Sequence, residues 1–227
     1  YMSQQDLSTA LGDADIFGVA GAGYAALNVN GEWLGSLSTL EGNKGYWIVS
    51  NSDIAGFQYG GYGALAKHAT QAEVREVSVE FESSKEQAFF FIKDATLEGQ
   101  PLDIEDEIIA YNGTVVIGAR KWNGEYTDVP AMGYDAWNAE NTAGYAQDSD
   151  EINFKIYDAS TGKVVDVVAN GDATWVANDL KVITLATSLP TEVSLSNAYP
   201  NPFNPSTMVA YSVPAEMNVQ VGVYDLR

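Results

Sequence analysis

The chain has 227 residues, 46% of them hydrophobic and 11% aromatic, enough apolar material for one large or two small domains and too much for a disordered polymer. Its 31 acidic residues against 11 basic ones leave a formal charge of −20 and an isoelectric point near 4.1, a surface that repels nucleic-acid phosphate and anionic lipid, so nucleic acid is excluded as a partner. The absence of cysteine excludes disulfide and thiol chemistry, and no apolar run reaches the roughly 18 residues that a membrane-spanning helical segment needs.

Residues 1–60 read as a small β-rich module. Ser3 caps a predicted short helix that runs to Leu11 and stops at Gly12. Asn30-Gly31, the strongest short hairpin signal, separates predicted strands at 25–29 and 32–35, and a further strand is expected at 45–49. Gly21, Gly23 and Ala26, after the apolar run 16–20, match the spacing of a dinucleotide fingerprint, but that motif needs a helix starting at its second glycine. The hairpin signal that follows favours a turn or close backbone packing. Residues 61–75 are a predicted linker, entered through the aromatic, glycine-rich stretch 57–63. His68, the one histidine, reads there as an exposed polar residue rather than a catalytic or metal-binding one.

Residues 76–187 are expected to form an immunoglobulin-like β-sandwich. Strands are predicted at 77–81, 88–93, 107–111, 114–120, 152–157, 164–168 and 182–185, with turns at Asn112-Gly113, Asn123-Gly124 and Asn170-Gly171. The long segment 122–149 has little strand pattern and holds Trp122, Tyr126, Tyr134, Trp137 and Tyr145. Long ordered loops are often functional, and aromatics beside Asn and Asp suit stacking on sugar rings; equally, they plug the open end of a sandwich. Trp122, Tyr126, Tyr134 and Trp137 are therefore candidate ligand contacts, with glycans as the candidate partner.

Two acidic clusters, Asp103, Glu105, Asp106 and Glu107, then Asp148, Asp150 and Glu151, carry the oxygen ligands that calcium takes. Asp103, Glu105, Asp106, Asp148 and Asp150 are the candidate ligands and calcium the candidate cofactor. Neither cluster has EF-hand spacing, and a solvated acidic rim is the plainer reading. With one histidine and no thiol, a nucleophilic triad finds little support, and a glycosidase-type carboxylate pair is not readable from sequence. The chain is read as no enzyme.

A linker at 188–196, marked by Pro190, leads to Tyr199, Pro200, Asn201, Pro202, Phe203, Asn204, Pro205 and Ser206. The three prolines fix φ and remove backbone donors, so this piece is predicted to be a stiff, extended leader and neither helix nor central strand. Strands are expected at 208–213 and 218–224, where Val219, Val221 and Val223 alternate with Asn218, Gln220 and Gly222.

With Leu195, Asn197, Thr207, Tyr211, Val213, Pro214 and the closing Val223, Tyr224, Asp225, Leu226 and Arg227, that motif closely resembles the opening of the type A C-terminal sorting domain of bacterial type IX secretion cargo. In that family the domain carries cargo across the outer membrane and is then usually removed, often with attachment to the cell surface. The resemblance implies the start of a β-sandwich sorting domain over 197–227 and the type IX secretion machinery as a partner. It also implies an extracellular or outer-surface location in a Gram-negative bacterium, a signal peptide removed upstream of Tyr1, and further strands beyond Arg227. Trp33, Leu34, Gly35, Ser36 and Leu37 followed by Gly45, Tyr46, Trp47 and Ile48 resemble a small module found upstream of such domains, in which an earlier strand precedes this start. Residues 105–113, 116–119 and 154–158 look like an uncharacterised extracellular module of such cargo, which implies location and not activity. The expected function is a secreted or cell-surface structural or adhesive protein that self-assembles by strand donation into a filament or surface layer. The alternative is a carbohydrate-binding module or accessory fragment of a larger secreted hydrolase.

Overall fold

Phe89, Phe90, Phe91 and Ile92 are buried in succession, which a strand achieves only when both of its faces are covered. The computed structural model describes residues 4–12, 14–57, 74–187, 193–202, 204–214 and 217–222. It is all-β, of the sandwich type, and divides into a unit spanning Tyr1–Thr187 and a second spanning Ser188–Arg227.

The first unit begins with β1 (Gln5–Asp6), α1 (Leu7–Leu11), β2 (Ile16–Gly21), β3 (Tyr24–Val29), β4 (Glu32–Gly35), β5 (Thr39–Leu40) and β6 (Trp47–Ser50). Its four-stranded antiparallel sheet has the order β4-β3-β2-β6, and β1 pairs with β5 beside it. Both hairpins of this sheet turn through two consecutive residues of positive φ, Asn30 and Gly31 as expected and Ala22 and Gly23 in addition, the twist that two-residue turns require. The fingerprint spacing at Gly21 and Gly23 is therefore a strand end and a turn. The helix begins later than predicted: Asp6 is its cap, accepting from Thr9 N–H at 2.7 Å, and Gly12 ends it at φ 58°. Ser3 lies outside the described residues, as does most of the linker, with His68 in it.

The large sheet is built from β7 (Gln87–Leu97), β8 (Gln100–Pro101), β9 (Glu107–Asn112), β10 (Val115–Lys121), β11 (Thr127–Met132), β12 (Asn153–Asp158), β13 (Lys163–Asn170) and β14 (Leu180–Thr187). Its order is β10-β9-β12-β13-β14-β7-β11, with β8 on β7, all antiparallel except β14 beside β7. The sheet curls until its end strands meet: a Cβ on Gly118 of β10 would lie 1.7 Å from the Pro130 carbonyl oxygen of β11, so only glycine fits. A bulge at Ile117 sharpens the bend.

Inside the curl Phe90, Ile92, Ile108, Ile117, Phe154, Ile156 and Leu185 form the main core, with Phe90 edge-on to Phe154 at 5.2 Å. On the outer side of β7, Phe89 and Phe91 pack with Leu180 against Ala20, Ala25 and Leu27 of the first sheet, so the two sheets share a core. The far face of the first sheet is covered by Leu7, Ala10 and Leu11 of α1 and by Leu37 and Leu40.

Six of the seven strands expected over 76–187 are present. The seventh, 77–81, is not a strand, because its donors go to side chains instead of a ladder: Ser78 N–H and hydroxyl donate to Glu107 at 2.8 and 2.7 Å, and Glu82 N–H donates to the Tyr145 hydroxyl at 2.7 Å. The segment 122–149, read as lacking strand pattern, contains β11. Pro130 hides it from pattern reading and is tolerated because β11 ends the sheet and pairs only with β7.

In the second unit β15 (Ser194–Leu195) pairs antiparallel with β16 (Tyr211–Ser212). Tyr199 and Met208 exchange both backbone hydrogen bonds at 2.9 Å, and Thr207 Oγ1 donates to the Pro200 carbonyl at 2.9 Å. The proline-rich stretch is thus a closed loop within a hairpin and not an extended leader; lacking donors, it turns where a ladder cannot continue. Of the strand expected at 208–213 only β16 and the Met208 bridge form, and 217–222 carries no strand. Phe203 and residues 223–227 lie outside the described residues.

Candidate functional site

The connection from β11 to β12 holds the strongest surface feature. Gly133 N–H donates to the Glu86 carbonyl at 2.7 Å, and Tyr134 N–H to the Ala146 carbonyl at 2.8 Å, which pins both ends of the loop. A Cβ on Gly133 would lie 2.4 Å from the Trp175 ring, so the glycine lets that indole lie against the backbone. Trp175 is buried, with its Nε1–H donated to the Ala131 carbonyl at 2.9 Å.

Asp135, itself buried, accepts from Trp137 N–H at 2.8 Å and caps the short 3-10 turn Ala136–Asn138. Thr142 is fully buried, and its hydroxyl accepts from Asp135 N–H at 3.1 Å while lying 2.9 Å from the Asn138 carbonyl to which it donates. The Trp137 side chain that this frame carries is 90% exposed. Leaving an indole in water forgoes roughly 4 to 6 kcal/mol of burial, at about 25 cal/mol per Å² and 150–250 Å² per large aromatic. Trp137, Tyr134, Glu86, Gln147 and Asp148 line an open groove of about 450 Å³, with Trp175 beneath.

The four candidate aromatics separate. Tyr134 and Trp137 share this groove. Trp122 is half-buried against the main core, and Tyr126, at φ 61°, packs against the core shared with the first sheet. Both are partly buried against apolar cores and neither lines the Trp137 groove. Tyr145 likewise is buried.

The acidic clusters turn much of their charge to backbone donors. Asp106 is buried and accepts from Asp103 N–H at 2.8 Å and Ala159 N–H at 2.9 Å. Glu105 pairs with Lys121 at 3.4 Å and Arg75 at 3.6 Å. Asp150 accepts from Gln147 N–H at 2.9 Å and Asn112 Nδ2–H at 3.1 Å, and Asp148 from Ala177 N–H at 3.2 Å. Asp103 is exposed. Among the described residues no three His, Cys, Asp or Glu side chains are gathered as a metal site would gather them.

Sequence reasoning missed Asp128, which joins the two sheets of the first unit. Its carboxylate accepts from Ser36 N–H at 2.8 Å, Ala25 N–H at 3.2 Å, the Ser36 hydroxyl and Arg120 at 3.2 Å, and Arg120 reaches on to the Gly23 carbonyl at 2.7 Å. Burial pushes the Asp128 carboxyl up, against the opposing pull of Arg120 and Ser36. A cavity of about 110 Å³ beside it is lined by Arg75, Arg120, Lys121 and Tyr126, and each of those cations is already paired.

In the second unit Tyr199, Pro200, Asn201, Pro202, Asn204, Pro205 and Ser206 are all exposed on the closed loop. Val193, Leu195, Met208, Tyr211, Met217, Val219 and Val221 are exposed as well. Comparison with known protein families, with curated proteins and with solved structures gives no match for this chain.

Proposed function

We propose that this chain is a secreted or cell-surface structural and adhesive protein, exported by type IX secretion, whose second unit joins copies by strand donation. The observation that carries this reading is the apolar exposure of the second unit. Leu195, Tyr199, Met208 and Tyr211 all stand in solvent on a hairpin whose paired strands are two residues long, and Val219 and Val221 after it are exposed as well. A lone short hairpin is marginal in water, and contiguous exposed apolar side chains mark an interaction surface. Unpaired strand edges are completed by a strand from another chain. The resemblance of 195–227 to a sorting domain supplies the export route, and the body of the protein is read as a structural module and not an enzyme.

Sedimentation velocity over a hundredfold concentration range tests the assembly. Association that grows with concentration and disappears in Val219→Asp/Val221→Asp is expected, and a monomer at every concentration overturns it. Export is tested in a bacterium that carries the machinery, with the chain behind a signal peptide. Replacing Pro200, Pro202 and Pro205 by alanine should retain the protein inside the outer membrane, and unchanged release overturns the sorting role.

A further inference from the structure

We propose that the Trp137 groove binds a neutral carbohydrate polymer, with the indole as the platform for a pyranose ring. This gives the adhesive half of the preceding reading a ligand. It rests on the Tyr1–Thr187 unit alone, so it stands or fails independently of export and assembly.

Three observations converge on this ligand. The first is preorganisation. Trp137 is 90% exposed, yet the backbone under it is locked by Asp135 and the buried Thr142, so the ring is presented without the ordering cost that a mobile loop would incur on binding. The second is the chemistry of the rim. Glu86, Gln147 and Asp148 offer carboxylate and amide oxygens, and Asp148 uses Oδ1 for Ala177 N–H. Vicinal hydroxyls are donors that such planar acceptors take in pairs, while the C–H face of the sugar lies on the indole. The third is charge. A formal −20 on the chain and the three carboxylates that line the groove, Glu86, Asp135 and Asp148, repel uronates, sulfated glycans and sialosides, leaving uncharged sugars.

A cationic peptide side chain is the rival that acidic rims also attract. Strong cation recognition by aromatics places several ring faces around one charge. Here Trp175 is buried with its N–H satisfied, so among the aromatics that line the groove only Trp137 and the less exposed Tyr134 are open to solvent, too few to enclose a charge. The open groove, about 450 Å³, suits a chain of rings laid along a surface better than a point charge held in a cage.

The test is calorimetric titration of the full chain with cellohexaose, laminarihexaose, xylohexaose, mannohexaose and chitohexaose. Hexa-lysine and an alginate oligomer serve as the charged comparisons. At least one neutral hexasaccharide should bind, Trp137→Ala should weaken it by about tenfold or more, and the alginate oligomer should give no heat. The melting temperature of Trp137→Ala should match that of the parent, since the ring buries almost nothing; Tyr134→Phe, which keeps the ring, should retain binding. Silence across all five neutral sugars overturns the proposal, as does binding indifferent to Trp137→Ala. Binding of hexa-lysine that Trp137→Ala abolishes, with no sugar bound, overturns it in favour of a basic protein partner.

Discussion

At Gly118 a single missing methyl group lets the large sheet close. The Cβ of an alanine there would overlap the Pro130 carbonyl oxygen, a backbone atom that cannot swing aside, so Gly118→Ala should cost about 1–3 kcal/mol or more and lower the urea midpoint accordingly. Asp128 and Arg120 form the other residue-scale constraint. Removing one member of a buried pair strands the other, so Asp128→Ala should destabilise by about 3–5 kcal/mol, whereas Asp128→Leu combined with Arg120→Met should recover most of that loss. Equal denaturation midpoints for the single and double variants would refute the pairing argument. Neither role was legible in sequence. Asp128 sits among residues that read as loop, and its partners Ala25 and Ser36 are remote along the chain. The run Phe89, Phe90, Phe91, Ile92, by contrast, already carries the signature of a strand buried on both faces.

At the scale of elements, turn chemistry was the most readable signal. Asn30-Gly31, Asn112-Gly113 and Asn123-Gly124 all mark chain reversals, since their glycines take the positive φ that other residues resist. What escaped was structure made by side-chain to backbone bonds: the 77–81 segment tied to Glu107, and the Trp137 loop tied to Asp135 and Thr142. Periodicity carries no trace of such bonds. The sequence nevertheless singled out Tyr134 and Trp137, and only the fold separated them from Trp122 and Tyr126, because exposure depends on which core each ring meets. Thr142→Val keeps the shape of that loop while leaving Asp135 N–H without its acceptor. The cost should be about 1–3 kcal/mol, and faster hydrogen exchange should be confined to the loop amides, that of Asp135 first and those of Trp137, Asn138 and Thr142 with it. Uniformly faster exchange across β7 to β14 would show instead that the loop is part of the global folding unit.

For the whole molecule, charge sets the response to solvent. With a formal −20, raising ionic strength from about 10 mM to about 150 mM should raise the melting temperature by screening self-repulsion, and a fall would refute that balance. Individual carboxylates act against that background with opposite signs. Lys181 and the Thr174 N–H hold Asp172 down to about 2 from an ordinary 3.8, so its stabilisation is present above 3.8 and lost as pH falls through about 2. Asp172→Asn should therefore lower the melting temperature at neutral pH and have no effect below the folded value. Asp128, raised by burial, runs the other way: folding favours its neutral form, and that contribution is lost as pH rises through its folded value. A last consequence concerns time. Leu180, in the final strand of the first unit, fills the space above Gly18 in its second strand. A chain emerging amino terminus first from a ribosome or a translocation pore cannot complete the core under its first sheet until residue 180 arrives, and contacts this distant in sequence form slowly, in milliseconds to seconds. Chains truncated after Asn178 should accordingly remain protease-sensitive across β2 and β3, leaving the polypeptide in a threadable state until almost the whole unit has been delivered.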